Sequence, residues 1–116
     1  MSQIERELKR GTLEMLLLHL LAEEPTWGYE LTRRLEERSD GRFRIKEGTL
    51  YPVLYRLQDA GQVETEWSQP KRGVPRKYYR LTTTGRSRLV ELATAWRDFA
   101  TAIDAVLAAP SRKEDA

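Results

Sequence analysis

Three features of this 116-residue sequence predict a mostly α-helical fold with a small two-stranded β-wing. Residues 47–60 have helical apolar spacing and are closed by Gly61. Val63, Thr65 and Trp67, then Tyr79 and Leu81, alternate with polar neighbours around a Gly/Pro turn, the pattern of two paired strands. Apolar residues then recur at 89, 92, 96, 99, 103 and 106, which makes a long last helix. Helix, two-stranded ribbon, helix, with basic charge at the ribbon tip, is the order of a winged helix-turn-helix followed by a long C-terminal helix.

The remaining elements follow in chain order. Residues 1–10 are charged and read as an irregular or loosely helical arm. From 12 to 24 apolar side chains fall at 13, 15, 16, 17, 18, 20 and 21. Such a helix is apolar almost all round and needs burial on most sides, some of it from a partner subunit. Pro25 ends it. Thr26 is placed to cap the next helix, with Glu30 in its first turn, where a negative charge suits the helix dipole. Tyr29, Leu31 and Leu35 form its apolar stripe, Arg33, Arg34, Glu36, Glu37 and Arg38 its wet face, and Gly41 its stop. Phe43 and Ile45 alternate with Arg42, Arg44 and Lys46, as in a short extended segment.

In the third helix Leu50, Val53, Leu54 and Leu57 face inward, and Thr49, Tyr51, Tyr55 and Arg56 lie elsewhere. Pro52 cannot donate an amide, so the first turn is expected to be tight or irregular. Thr82 or Thr83 caps the last helix. Its heptad seam finds no obvious core left to cover in so small a chain, so it is expected to pack on a partner chain.

Charge is unevenly placed. Residues 69–88 hold Lys71, Arg72, Arg76, Lys77, Arg80, Arg86 and Arg88 and no acid. With a net charge of +2 for the whole chain, the remainder therefore carries −5. A local basic patch on an acidic molecule is an electrostatic footprint. The absence of cysteine excludes disulfides and thiol chemistry and fits a reducing, cytoplasmic location. The lone His19 sits in a leucine run and reads as a structural or partly buried helix residue; no metal and no cofactor are expected. The run 13–21 is too short for a membrane span and lacks a signal-peptide cleavage site. Glu23/Glu24 and Glu36/Glu37 are adjacent on helices and do not face one another, and no phosphate-binding glycine loop is present, so no catalytic constellation emerges.

Two surfaces instead suit double-stranded DNA. The start of the third helix presents Lys46, Glu47, Thr49, Tyr51, Tyr55 and Arg56, types that contact phosphates, thymine methyls or guanine edges in a major groove. The ribbon presents Lys71, Arg72, Arg76 and Lys77, which suit a phosphate line or a minor groove. A winged helix used for protein–protein contact, with the basic turn merely solvated, is the competing reading. Trp96 stands mid-seam beside Ala93, Ala95 and Ala100. It is either a packed dimer-core side chain or an aromatic wall for a planar apolar ligand between subunits.

GTLEMLLLHLL, WGYEL, EGTLYPVLYRLQDAGQVETEW and RKYYRLTTTG, in this order and spacing, closely resemble the PadR-type transcriptional regulators over residues 10–107. The single C-terminal helix is similar to the compact subfamily that includes multidrug-sensing repressors. The resemblance implies a homodimeric winged-helix repressor on an inverted-repeat operator, and Trp96 points to release by a small aromatic or apolar effector. It implies a DNA-binding domain over 1–82, with the arm at 1–10, a dimerisation helix over 83–109 and a disordered tail over 110–116. The dimer would form through Leu13, Leu17, Leu89, Leu92, Trp96, Phe99, Ile103 and Val106. The effector pocket would involve Ala93, Trp96, Phe99 and Ala100. Family members often carry Asn or Ser before the recognition helix. Lys46 stands there instead, and it weakens the helix start or serves a phosphate.

Overall fold

The computed structural model describes residues 11–69, 72–108 and 110. The arm at 1–10, Lys71 and the tail beyond Pro110 lie outside the described residues. Among the described residues, four helices and three strands follow one another as α1 (Leu13–Glu23), β1 (Thr26–Trp27), α2 (Gly28–Arg38), α3 (Glu47–Asp59), β2 (Val63–Trp67), β3 (Lys77–Leu81) and α4 (Thr83–Ala108).

Helix α1 is the centre of the core. Leu17, Leu18, Leu20 and Leu21 are buried, and Leu31 and Leu35 of α2, Leu50, Val53, Leu54 and Leu57 of α3, and Val63, Tyr79 and Leu81 of the sheet close around them. Burying each such leucine contributes roughly 1.5–3 kcal/mol. Leu17 is wholly enclosed by its own chain, so it has no surface for the dimer interface expected of it, whereas Leu13 stays half-buried. His19 is exposed, 3.8 Å from Glu23, and not partly buried as its leucine surroundings implied.

The sheet has three strands, one more than the two-stranded wing expected. Its order is β1-β3-β2, all antiparallel, with Thr26 opposite Tyr79 and Val63 opposite Leu81. Thr26 therefore serves in β1 and does not cap α2; its hydroxyl donates to the Glu24 carbonyl, and Trp27 takes the cap position without a side-chain bond. Arg34 is not on the wet face either. Its guanidinium donates to Thr26 Oγ1 at 2.9 Å and to Glu23 Oε1 at 2.5 Å, bracing α2 against α1 and β1. Arg38 also donates to Glu23, which thus gathers two guanidinium groups. Helix α2 stops where Asp40 and Gly41 both adopt left-handed backbone and the Gly41 N–H donates to the Glu36 carbonyl. Phe43 and Ile45 pack on the core between exposed arginines as expected, without strand pairing.

The entry to α4 is tied to the exit from α3. Thr82 is the cap: its hydroxyl accepts the Gly85 N–H at 3.0 Å and donates to the Gly61 carbonyl at 2.6 Å. The Thr82 N–H donates to the Gln62 carbonyl. Gly85 lies so close that a Cβ there would collide with the Gln62 carbonyl oxygen and Leu81 Cδ1. Leu89 and Leu92 then pack against the core of their own chain, so the first part of the seam has an intrachain role, contrary to expectation. Beyond them α4 runs clear of the body; 26 residues span about 39 Å, and the molecule is 72 Å long but only 20 Å in its thinnest dimension.

Two outcomes follow from this packing. Gly85→Ala should lower stability by about 3 kcal/mol, because backbone must move to admit the methyl; a urea midpoint within error of the parent would contradict the close approach. The Glu23 carboxyl is held below its ordinary value, first by the hydrogen bond from Arg38 and further by the charges of Arg38, Arg34 and His19. Its stabilising contribution is therefore complete above the unfolded value of 4.5 and is lost as pH falls through the lowered folded one. Glu23→Gln should accordingly flatten the acid limb of a stability–pH curve, without abolishing it, since Glu30 is depressed in the same way by Arg33.

Candidate nucleic-acid interface

Helix α3 is amphipathic in the sense that matters for a groove. Its inner face is sealed by the core, and Lys46, Glu47, Gly48, Thr49, Tyr51, Pro52, Tyr55 and Arg56 are all exposed. Lys46 is the cap residue and makes no side-chain cap bond, as its chemistry requires. Its carbonyl accepts from both the Thr49 and Leu50 amides at 2.9 Å, which tightens the first turn. Pro52 lies within a continuous helix, on its exposed side, and withholds only the bond that the Gly48 carbonyl would otherwise accept.

The side chains of this face are not equivalent. Tyr55 is 70% exposed and stands free of the body. Tyr51 leans back, its ring lying over Gly28 at the start of α2. Arg56 sits about 10 Å along the helix from Thr49 and is turned towards α1, 3.5 Å from Glu14.

The wing is the segment 68–76 between β2 and β3. Its base is closed by two hydrogen bonds, Ser68 N–H to the Arg76 carbonyl at 2.8 Å and Arg76 N–H to Ser68 Oγ at 3.1 Å. Arg72 is exposed on the turn. Lys77 belongs to β3, opposite Trp67, with its ammonium 5.6 Å from the Tyr79 ring centroid. Arg76 stacks over the Trp27 ring at 4.0 Å. Arg80 is neutralised on the outer face of the sheet, where Glu64 and Glu66 of β2 flank it and Glu66 accepts a hydrogen bond from it. Trp67, on the alternating face with the buried Val63, is itself 58% exposed at the end of β2.

These pieces meet in one cleft of about 390 Å³, lined by Trp27, Gly28, Tyr51, Trp67, Pro75, Arg76, Lys77 and Tyr79. Tyr51 of α3 lines it together with Pro75 and Arg76 of the wing and residues of all three strands. Burial pushes the Tyr79 phenol above its ordinary value, and Tyr51 adds to the shift, so Tyr79 remains an uncharged hydroxyl beside two cations. Sequence reasoning missed Trp27 and Gly28 as parts of this surface, with Tyr29 beside the Trp27 ring. Their signal was the WGY triplet itself, an aromatic pair around a glycine; the two rings lie 5.6 Å apart. On α4, Trp96 and Phe99 are exposed, with Ala93 and Ala100 half-buried beside them. Among the described residues no group of His, Asp or Glu is placed to hold a metal, and no helix is long and apolar enough to cross a membrane.

Residues 17–91 match the transcriptional regulator PadR-like family. The chain is 34% identical over 95 residues to a transcriptional regulator of Mycobacterium tuberculosis, covering 82% of this chain and 85% of that protein. It is similar in structure to a PadR family transcriptional regulator from Eggerthella lenta, with a TM-score of 0.82 and 36% identity over 94% of this chain and 93% of that one. A PadR-like transcriptional regulator from Bacillus cereus superimposes with a TM-score of 0.80 and 30% identity, over 90% of this chain and 99% of the other. With the winged-helix core, the exposed helix and the basic wing in place, the chain belongs to the PadR-like family of transcriptional regulators.

Proposed function

We propose that the chain works as a homodimeric repressor that binds an inverted-repeat operator and is released by a small aromatic or apolar effector. The observation that carries the DNA reading is the shared cleft: α3 contributes Tyr51 to the same surface to which the wing contributes Arg76 and the adjoining end of β3 contributes Lys77. A helix and a ribbon that converge in this way can take the major groove and the adjoining backbone of one duplex together. Thr49, Tyr51 and Tyr55 would read base edges; Lys46, Arg72 and Lys77 would meet phosphates, and Glu47 would accept from a cytosine amine.

The seam of α4 supports the dimer. Trp96, Phe99, Ile103 and Val106 form an apolar line that nothing among the described residues covers, and Phe99 and Val106 are 62% and 75% exposed. A second copy supplies the same line and closes both. Two copies would set their α3 tips about 34 Å apart, one turn of duplex. The effector would occupy the seam beside Trp96 and Phe99, where Ala93 and Ala100 leave space next to large rings. The line 1–82 for DNA and 83–109 for dimerisation would then divide the chain by task. Leu89 and Leu92 also brace the body.

The deciding measurement is a titration against the DNA upstream of the protein's own gene, beside a shuffled duplex, at several salt concentrations. Tight, salt-dependent binding with clear preference for the native duplex is expected; equal weak binding to both would favour the protein-contact reading. Thr49→Ala should cost about 1–3 kcal/mol on the operator and little on the shuffled duplex, whereas Arg56→Ala, paired to Glu14 and far from the tip, should change operator affinity by less than about 3-fold. Ile103→Asp should weaken dimerisation by about 100-fold or more, because the new charge has no partner in a dry seam. A dimer of unchanged affinity in analytical ultracentrifugation would place the interface elsewhere.

A further inference from the structure

Trp27 and Gly28 stand between α3 and the wing and touch both. On one side the Tyr51 ring lies against Gly28, where a Cβ would fall 2.5 Å from the tyrosine oxygen and 3.0 Å from Cζ. On the other side the Arg76 guanidinium stacks on Trp27 at 4.0 Å. The Trp27 main chain is fixed in the sheet by pairing with Tyr78. The Arg76 main chain closes the base of the wing through both of its bonds to Ser68. Tyr51, Gly28, Trp27 and Arg76 are thus an unbroken line of contacts from the exposed face of α3 to the root of the wing.

We propose that the Trp27–Gly28 pair is a bracket that sets the spacing between recognition helix and wing, and that Arg76 is a positioning residue committed to it. This deepens the reading of α3 and the wing as one DNA surface and rests on it. The guanidinium is planar and weakly hydrated, so it stacks on an indole more readily than a lysine ammonium would. A guanidinium held face-on to Trp27 is not free to follow a phosphate line, unlike Arg72, which makes no such contact among the described residues. Without the bracket the wing would join the body only through its two strands, and its angle to α3 would vary. Gly28 has the complementary part: any side chain there would push the Tyr51 ring off its seat, and because the ring can swing outward the fold would survive the change.

The test combines amide hydrogen exchange on the DNA-free protein with salt-dependent titrations on the native upstream duplex. Trp27→Ala and Arg76→Ala should each raise exchange at the Ser68 and Arg76-region amides about 10-fold, with the α1 amides of 17–21 unchanged as the control for global stability. Both variants should bind the duplex about 3- to 10-fold more weakly, with the double variant no worse than either single one and the salt slope unaltered. Arg72→Ala should instead reduce the slope by about 1. Arg76→Lys keeps the charge and loses the planar stack, so it should behave as Arg76→Ala does. Unchanged wing exchange in Trp27→Ala would overturn the bracket. A slope reduced by about 1 in Arg76→Ala, together with full rescue by Arg76→Lys, would make Arg76 a phosphate contact and overturn its positioning part. Failure of the unmodified protein to prefer any duplex would refute the DNA reading separately, since exchange is read without DNA.

Discussion

The start of α4 meets the turn that ends α3 backbone against backbone, and both ends of the molecule depend on that meeting. Gly85 is required because the Gln62 carbonyl occupies the place of its Cβ. Thr82 fastens the same junction by donating to Gly61, accepting from Gly85 and giving its own amide to Gln62. Side-chain contacts can slide by changing rotamer, but contacts between main chains cannot. Helix α4 therefore cannot tilt without carrying Gly61, and with it the C-terminal end of α3. The leucine core completes the constraint, since Leu50, Leu54 and Leu57 hold α3 to α1 along its whole inner face.

Charge is sorted on this frame in a way that composition conceals. The stretch 69–88 is uniformly basic in sequence, yet its members have different tasks in space. Arg80 is answered by Glu64 and Glu66 across the strands, Arg88 reaches to within 4.0 Å of Glu91, and Arg76 lies over an indole. Of the described members, Arg72 on the wing turn and Arg86 at the start of α4 are exposed, with no ion pair or ring contact among the described residues. In the proposed reading, charge left on a few residues would steer a duplex into one orientation better than a diffuse field. Glu23 does the converse inside the fold, gathering Arg34 and Arg38 so that two cations hold the body together.

Periodicity made the large elements legible. The inner face of α3, the inward Val63, Tyr79 and Leu81 and the seam of α4 all follow from spacing, because long elements repeat their burial pattern enough times to be read, whereas the cap is narrowed only to Thr82 or Thr83. What escaped was decided by tertiary contact. Strand β1 is two residues long and has no alternation to display; it exists because β3 offers it a partner. Arg34 looked like surface charge and is held at 13% side-chain exposure by two acceptors from elsewhere in the chain. Leu17 and Leu13 share an apolar run, but only the body behind them decides that one is sealed and the other is not. At the candidate site the tyrosines and basic residues were visible as types, while the Tyr51–Gly28 and Arg76–Trp27 contacts required the fold to bring residues 23 and 49 apart in sequence together.

In the proposed dimer, the lock at Gly85 also dictates what an effector has to accomplish. A ligand shifts an equilibrium only by binding one arrangement better than another. The arrangements available are different crossings of two α4 helices, since α4 is tied rigidly to α3 within each copy. A crossing change of a few degrees, acting over a lever of about 30 Å, displaces each α3 tip by about 2–3 Å. Each groove can tolerate such a shift alone, but an operator of fixed half-site spacing cannot accommodate it twice in opposite directions. The effector thus needs no path through the leucine core. It needs only a seat in the seam beside Trp96 that one crossing angle fills and the other leaves strained or hollow.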